Sequence, residues 1–321
     1  MSKRRLSQQQ ERRIRSARDR RVAEANDDLG ETLPGLVIAR YGKRALVEDE
    51  DGQRRQCFLR ANLDSVVAGD RVAWRASEDG GVIDARADRT SVLSRPDARG
   101  NMRPVAANID LMLIVIAPKP PAHANLIDRY LVAAEHEGID AVLVLNKQDL
   151  LVDGDDIVSL AESYQALGYP VVRTDKVSDP DAQALREIIE EQTMVLVGQS
   201  GVGKSSLINR LLPGLDIRTG ALSEAIDKGR HTTTAAELYH LPGGGALIDS
   251  PGIREFHLHH LCREDVANGF VEFKPFLGTC KFRDCSHDHE QGCALLQAIE
   301  AGIISEERFA SYRMILDSPD I

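Results

Sequence analysis

The nine residues Gly198-Gln199-Ser200-Gly201-Val202-Gly203-Lys204-Ser205-Ser206 constrain this chain more than any other stretch of it. They satisfy GxxxxGK[ST], directly behind the apolar run Met194–Val197 and directly ahead of a helical pattern over Lys204–Leu212. Strand, glycine-rich turn and helix in that order make a phosphate cradle. The glycines let backbone N–H groups curl around phosphate oxygens, and the helix N-terminus adds a positive end. Lys204 then reaches the β- and γ-phosphates, and the Ser205 hydroxyl ligates Mg²⁺. Such a turn sits at the C-terminal edge of a parallel strand, which assigns this part of the chain to the α/β class.

The flanking pattern agrees. Leu111–Ile116 and Ala141–Leu145 are unbroken apolar runs, as strands covered on both faces should be. Leu126–His136, Ile157–Leu167 and Asp181–Glu191 carry helical spacing, and Val171–Val172, Glu237–His240 and Ala246–Ile248 read as further strands. Strands alternating with helices predict a mostly parallel sheet.

Three more segments fall at strand ends. Asn146-Lys147-Gln148-Asp149 follows Leu145. The Asp149 carboxylate suits the paired N1–H and N2–H₂ donors of guanine, a pair that adenine lacks. Asn146 suits the O6/N7 edge and its own loop, and the Lys147 stem covers the ring face. Asp249-Ser250-Pro251-Gly252 follows Ile248, so Asp249 would hold Mg²⁺ through water and the Gly252 N–H would meet the γ-phosphate. Between these segments, Gly229-Arg230-His231-Thr232-Thr233-Thr234 lies on a long strand-free stretch, where Thr232 or Thr233 could ligate Mg²⁺. The order is inverted, because the guanine motif precedes the phosphate loop. A parallel sheet can be cut and rejoined where its termini lie close, leaving the same loops on the same edge. Residues 93–257 therefore read as a circularly permuted GTP-binding domain.

The ends of the chain differ from this middle. Met1–Arg21 holds nine Lys or Arg against Glu11 and Asp19, a charge of +7 on a chain whose formal net charge is −10. Residues 1–32 thus form a basic arm, too poor in apolar residues to fold alone and suited to a nucleic-acid partner. Residues 33–92 carry five short apolar stretches separated by turn residues, which predicts a small β-barrel, OB-like or SH3-like. Ser94–Asn101 reads as a polar linker. The longest apolar run is strand-sized, which excludes a membrane-spanning helix, and the Arg-rich start is no secretory signal.

Five cysteines do not suit a disulfide framework. Cys280-x₄-Cys285-x-His287-x₅-Cys293 offers three thiolates and an imidazole, a closed tetrahedral Zn²⁺ shell with no position for water, hence structural. His289 is a competing imidazole. Cys57 and Cys262 read as small buried hydrophobes, and Phe270, Phe273 and Phe276 as core of a small helical zinc-binding domain over 258–321.

Barrel, permuted domain and Cys₃His segment in this order resemble the ribosome small-subunit-dependent GTPase A family. The resemblance runs over residues 33–316 and rests on the segments quoted above, with the phosphate loop continuing through Leu207-Ile208-Asn209 and the Asp249 segment through Ile253-Arg254-Glu255-Phe256. It implies an N-terminal OB-fold and a cytoplasmic, monomeric GTP hydrolase. Its partners would be the 30S subunit and 16S rRNA, late in maturation. It further implies that the subunit stimulates hydrolysis and that the protein then leaves. His257 stands where the family commonly has Gly, and Thr174-Asp175-Lys176 where its guanine-supporting loop belongs. Ile253 follows Gly252 where small GTPases carry a water-orienting Gln, so slow intrinsic hydrolysis is expected, with His231 as the candidate to orient water. Two other readings are an RNA-docked scaffold whose GTP only sets affinity, and a permuted GTPase of large-subunit assembly.

Overall fold

The computed structural model describes residues 31–61, 63, 65–77, 80–97, 99–175, 179–213, 236–249, 258 and 261–318. The basic arm, the Gly229–Thr234 stretch with His231, Thr232 and Thr233, and Ser250–His257 with Gly252 lie outside the described residues.

Five strands form the N-terminal barrel: β1 (Thr32–Tyr41), β2 (Arg44–Glu48), β3 (Arg54–Leu59), β4 (Arg71–Ser77) and β5 (Gly80–Arg86). They pair in the order β1-β2-β3-β5-β4, and β4 returns to β1, which closes the barrel. The β3–β5 pair is parallel and the others are antiparallel. This Greek-key closure is the OB arrangement, and it resolves the choice between the two barrel types. Alternate residues point inward, so Val37, Val47, Cys57, Val72, Trp74 and Ile83 make the core. Trp74 lies wholly inside and its indole N–H donates to the Pro34 carbonyl at 3.1 Å. Gly81 makes room for it: a Cβ there would stand 2.7 Å from the indole and 2.8 Å from the Cys57 sulfur.

The segment read as a linker is instead a hairpin, β6 (Val92–Pro96) with β7 (Met102–Ala107). The polar residues between them are turn chemistry. Asp97 Oδ1 accepts from the Arg99 and Asn101 N–H groups at 2.8 and 3.0 Å. Leu93 and Ala106 are buried beneath the hairpin, and the Ala107 N–H bonds the barrel at the Ala68 carbonyl at 3.0 Å.

The central sheet contains β8 (Leu111–Ile116), β9 (Asp140–Leu145), β10 (Val171–Arg173), β11 (Thr193–Val197), β12 (Glu237–His240) and β13 (Ala246–Asp249). Their order is β10-β9-β8-β11-β13-β12, parallel except for β12. Helices α1 (Ala124–Glu137), α2 (Asp156–Ala166), α3 (Asp179–Ile189) and α4 (Lys204–Leu211) connect the strands. Every residue of β8 is buried, because apolar clusters cover both faces of the sheet. β12 also pairs with β1 through Ala39 and Glu237, and His240 Nε2 meets Glu48 Oε1 at 2.5 Å, so barrel and sheet run on as one surface.

The C-terminal region holds α5 (Arg263–Asn268), α6 (Ala294–Glu300) and α7 (Glu306–Leu316). Phe270 and Phe273 stack at 4.8 Å in its core beside Phe309 and Tyr312, with Phe276 half-buried against them. Val132 and Ala133 of α1 belong to the same core, which anchors this region to the central domain. Cys262 departs from expectation. It is exposed, because it stands at the start of α5, where Asp265 Oδ2 accepts its backbone N–H at 2.9 Å.

Candidate nucleotide site and metal centre

The phosphate loop leaves β11 at Gly198 and enters α4 at Lys204. Two glycines in it admit no side chain. Gly198 has φ +133° and a Cβ there would fall 2.3 Å from the Val115 carbonyl; Gly203 has φ +102° and its Cβ would fall 2.3 Å from Asn146 Nδ2. Lys204 is buried, and its ammonium donates to the Gly198 and Gln199 carbonyls at 2.6 and 2.7 Å, so it lies folded along the loop it serves. Ser205 and Ser206 occupy the first turn of α4 beside the loop amides. Asp249 ends β13, next to β11 in the sheet, so the two oxygen donors expected for Mg²⁺ stand at one edge.

The guanine motif lies against this loop. β8 separates β9 from β11, and the loops following all three strands emerge on the same side. Asn146 is buried and donates from Nδ2 to the Val202 carbonyl at 2.9 Å. Lys147, in the left-handed region at φ +61°, sends its ammonium to the Gly201 carbonyl at 2.6 Å and the Lys119 carbonyl at 2.9 Å. Gln148–Leu150 forms a 3₁₀ turn that leaves Asp149 exposed. Motifs some fifty residues apart are thus joined by two direct hydrogen bonds.

Thr174 completes the arrangement. It is fully buried at the end of β10, its N–H bonds the Leu145 carbonyl at 2.8 Å, and its hydroxyl donates to Asn146 Oδ1 at 3.0 Å. With its oxygen engaged by Thr174, the Asn146 amide is oriented so that its NH₂ faces the phosphate loop. Asp175 follows, and its carbonyl accepts from the Arg210 guanidinium of α4. Sequence reasoning located this segment but assigned it no contact. Its signal was positional, a hydroxyl residue directly after a strand. Lys119 was missed altogether, because only its carbonyl participates and any residue supplies one.

The second cluster assembles as expected. One donor atom from each of Cys280, Cys285, His287 and Cys293 lies within 4.8 Å of the other three. His287 Nδ1 stands 3.6 Å from Cys280 Sγ and 3.4 Å from Cys293 Sγ, and those two sulfurs are 4.0 Å apart. Tetrahedral zinc, with Zn–S of about 2.3 Å and Zn–N of about 2.0 Å, requires S···S near ~3.8 Å and S···N near ~3.5 Å. The donors therefore fit that ion. The Ala294 N–H of α6 donates to Cys280 Sγ at 3.3 Å, which orients the sulfur. Burial pushes the Cys285 thiol up to about 12, with further upward contributions from Cys293 and Cys280, and burial lowers the His287 imidazole. A dication reverses this logic by displacing the thiol protons. His289 is exposed and bonded to Asp288, outside the cluster.

Among the described residues no helix is long and apolar enough to cross a membrane. A model of the RsgA GTPase family matches residues 86–259. Two proteins named small ribosomal subunit biogenesis GTPase RsgA, from Pseudomonas aeruginosa and Azotobacter vinelandii, are each 52% identical to the chain, over 99% of it and 98% of their own length. Among solved structures, YjeQ from Thermotoga maritima matches with a TM-score of 0.74 and 32% identity, over 89% of this chain and 98% of that one. YloQ, described as a circularly permuted GTPase, matches with a TM-score of 0.71 and 28% identity, over 89% and 95%. Full-length similarity to these proteins and the joined guanine and phosphate loops agree: this chain belongs to the RsgA GTPase family and is a circularly permuted GTP hydrolase.

Proposed function

We propose that the protein hydrolyses GTP in the biogenesis of the small ribosomal subunit, as a cytoplasmic monomer that binds the 30S particle and its 16S rRNA late in maturation. The subunit accelerates hydrolysis, and hydrolysis releases the protein. The observation that carries this reading is the contact of Asn146 and Lys147 with Val202 and Gly201, because it couples a guanine-selective carboxylate to a triphosphate cradle.

Asp149 reads the base. The amides of Gly198, Gln199, Ser200, Gly201, Val202 and Gly203 surround the phosphates, with Ser206 in the turn behind them. Lys204 leaves its loop carbonyls to meet the β- and γ-oxygens. Ser205, Thr232 or Thr233 and, through water, Asp249 would hold Mg²⁺, which would supply charge neutralisation at the phosphates. The Gly252 N–H meets the γ-phosphate. Catalysis of this reaction is positioning and charge stabilisation. Ile253 has no group for water, so the subunit accelerates hydrolysis by bringing His231 of the Gly229–Thr234 segment to the attacking water. Zinc in the Cys280, Cys285, His287, Cys293 shell is structural. The barrel and the basic arm serve the RNA. Arg44 stacks over Phe58 at 4.6 Å, and both Phe58 and Tyr41 are exposed, as a base-stacking surface requires. The domain limits 1–32, 33–92, 93–257 and 258–321 belong to the same proposal.

Sedimentation with purified ribosomal subunits tests it. The protein should travel with the 30S particle when loaded with a non-hydrolysable GTP analogue and leave it with GDP. Equal distribution in both states, or a preference for the large subunit, overturns it. Calorimetry should also find guanine nucleotides bound and adenine nucleotides not.

A further inference from the structure

A cleft of about 1080 Å³, lined by none of the nucleotide-motif or Cys/His-cluster residues, lies between α1, α2 and the start of α7. On its floor Arg308 pairs with Asp128 and, through Nε, with Glu272 at 2.6 Å. Two carboxylates thus face one guanidinium. Asp128 is 99% buried, and its Oδ2 has no hydrogen-bond partner, although Ser311 lies beside the carboxyl. At the mouth stand Asp155, Asp156 and Glu307, and the walls include Leu160 and Ile303, the latter 63% exposed. The lining has five carboxylates against a single cation, Arg308, which is already committed. Phosphate is repelled from such a cleft. A flexible cation with an aliphatic stem suits it, the stem along Leu160 and Ile303 and the head among the carboxylates.

The chain carries such groups itself. Residues 1–21 bear nine Lys or Arg and a charge of +7, against −17 on the remainder. Residues 1–30 precede the first described residue. Extended, thirty residues span about 100 Å, whereas a globule of this size has a radius of gyration of about 19 Å, so the arm reaches every face. Tethering gives it an effective concentration in the millimolar range, at which occupancy needs several ion pairs made together, and the nine cations of the arm can supply them. We propose that residues 1–21 dock in the acidic cleft between α1, α2 and α7 when no RNA is bound, so that RNA and the cleft compete for the same cations. Off RNA, the docked arm lowers non-specific polyanion binding.

The test uses the full chain with Gln9 replaced by a photo-crosslinking benzoylphenylalanine, without RNA and at low salt. Crosslinks are expected within the chain, on residues 155–167 and 302–308. They should disappear in about 1 M salt, where the Debye length is about 3 Å, and on addition of single-stranded RNA. Asp156→Lys with Glu307→Lys should abolish them, as should Arg12→Glu with Arg13→Glu, which leaves the folded body untouched. Combining both reversals should restore the crosslink. The proposal fails if crosslinks spread over other acidic surfaces such as residues 48–51, if they join two copies of the chain, or if neither reversal changes them.

Discussion

Single side chains here act by fixing the orientation of others. Thr174 is the clearest case, since its hydroxyl is the donor that orients the Asn146 amide. Thr174→Val leaves a buried carbonyl oxygen without a donor, at about 1–3 kcal/mol. Affinity for GDP and GTP should therefore fall together, by roughly 5- to 150-fold, while Thr174→Ser retains most of it; titration calorimetry measures both. Gly81 acts by its absence of volume. Gly81→Ala pushes a methyl into the indole of Trp74 and should lower stability by about 1–3 kcal/mol, read as a lower midpoint in urea. Neither role was legible from residue identity. A threonine after a short strand and a glycine after a turn each have ordinary readings, and only the neighbour across the fold makes them specific.

Among the elements, the strands and helices of the central sheet follow from periodicity, because burial on both faces leaves no other pattern for β8 or β9. The β6–β7 hairpin shows where such reasoning fails. Its turn is as polar as a linker, and the strands on either side are too short to show alternation. Asp97 holds that turn, and the Arg99 and Asn101 amides bring its carboxyl down to about 2. A carboxyl whose value in the folded chain lies below its unfolded value of about 3.9 adds stability above that value. The contribution is lost as pH falls through about 2. The side-chain carbon of Asp97 should accordingly titrate near 2 by NMR, and Asp97→Asn should flatten the acid limb of the stability curve between those two values.

Across the whole molecule, α1 is the shared element. It follows β8, supplies Val132 and Ala133 to the C-terminal core, and holds α7 through the Asn125 amide on Ser311 and through Asp128 on Arg308. Arg308→Ala removes the cation between buried Asp128 and half-buried Glu272, which should cost about 3–5 kcal/mol and separate the unfolding of the two regions in calorimetry. The zinc proposed for the Cys₃His cluster would brace the same region. Cys293 is buried in the aromatic core, and a shell of this kind contributes about 10–16 kcal/mol of apparent binding energy. A strong chelator, or Cys280→Ser, should release one zinc per chain and loosen α6 and α7 in hydrogen exchange. Guanine-nucleotide binding should survive, since its loops lie on the sheet edge.

The amino-acid sequence by itself determined the family and its local motifs: a glycine-rich loop between strand and helix, an Asn-Lys-Gln-Asp turn, a Cys₃His cluster and the inverted order of the first two. These are local patterns, in which a few residues at fixed spacing impose a backbone shape or a donor set. Tertiary structure alone decided the barrel's closure as β1-β2-β3-β5-β4, the burial of Thr174 behind Asn146 and the exposure of Cys262. It also decided the meeting of α7 with α1 over a buried ion cluster. Each of these depends on which surfaces meet. That is set by the summed burial of many side chains distant in sequence, so no short stretch of residues encodes it.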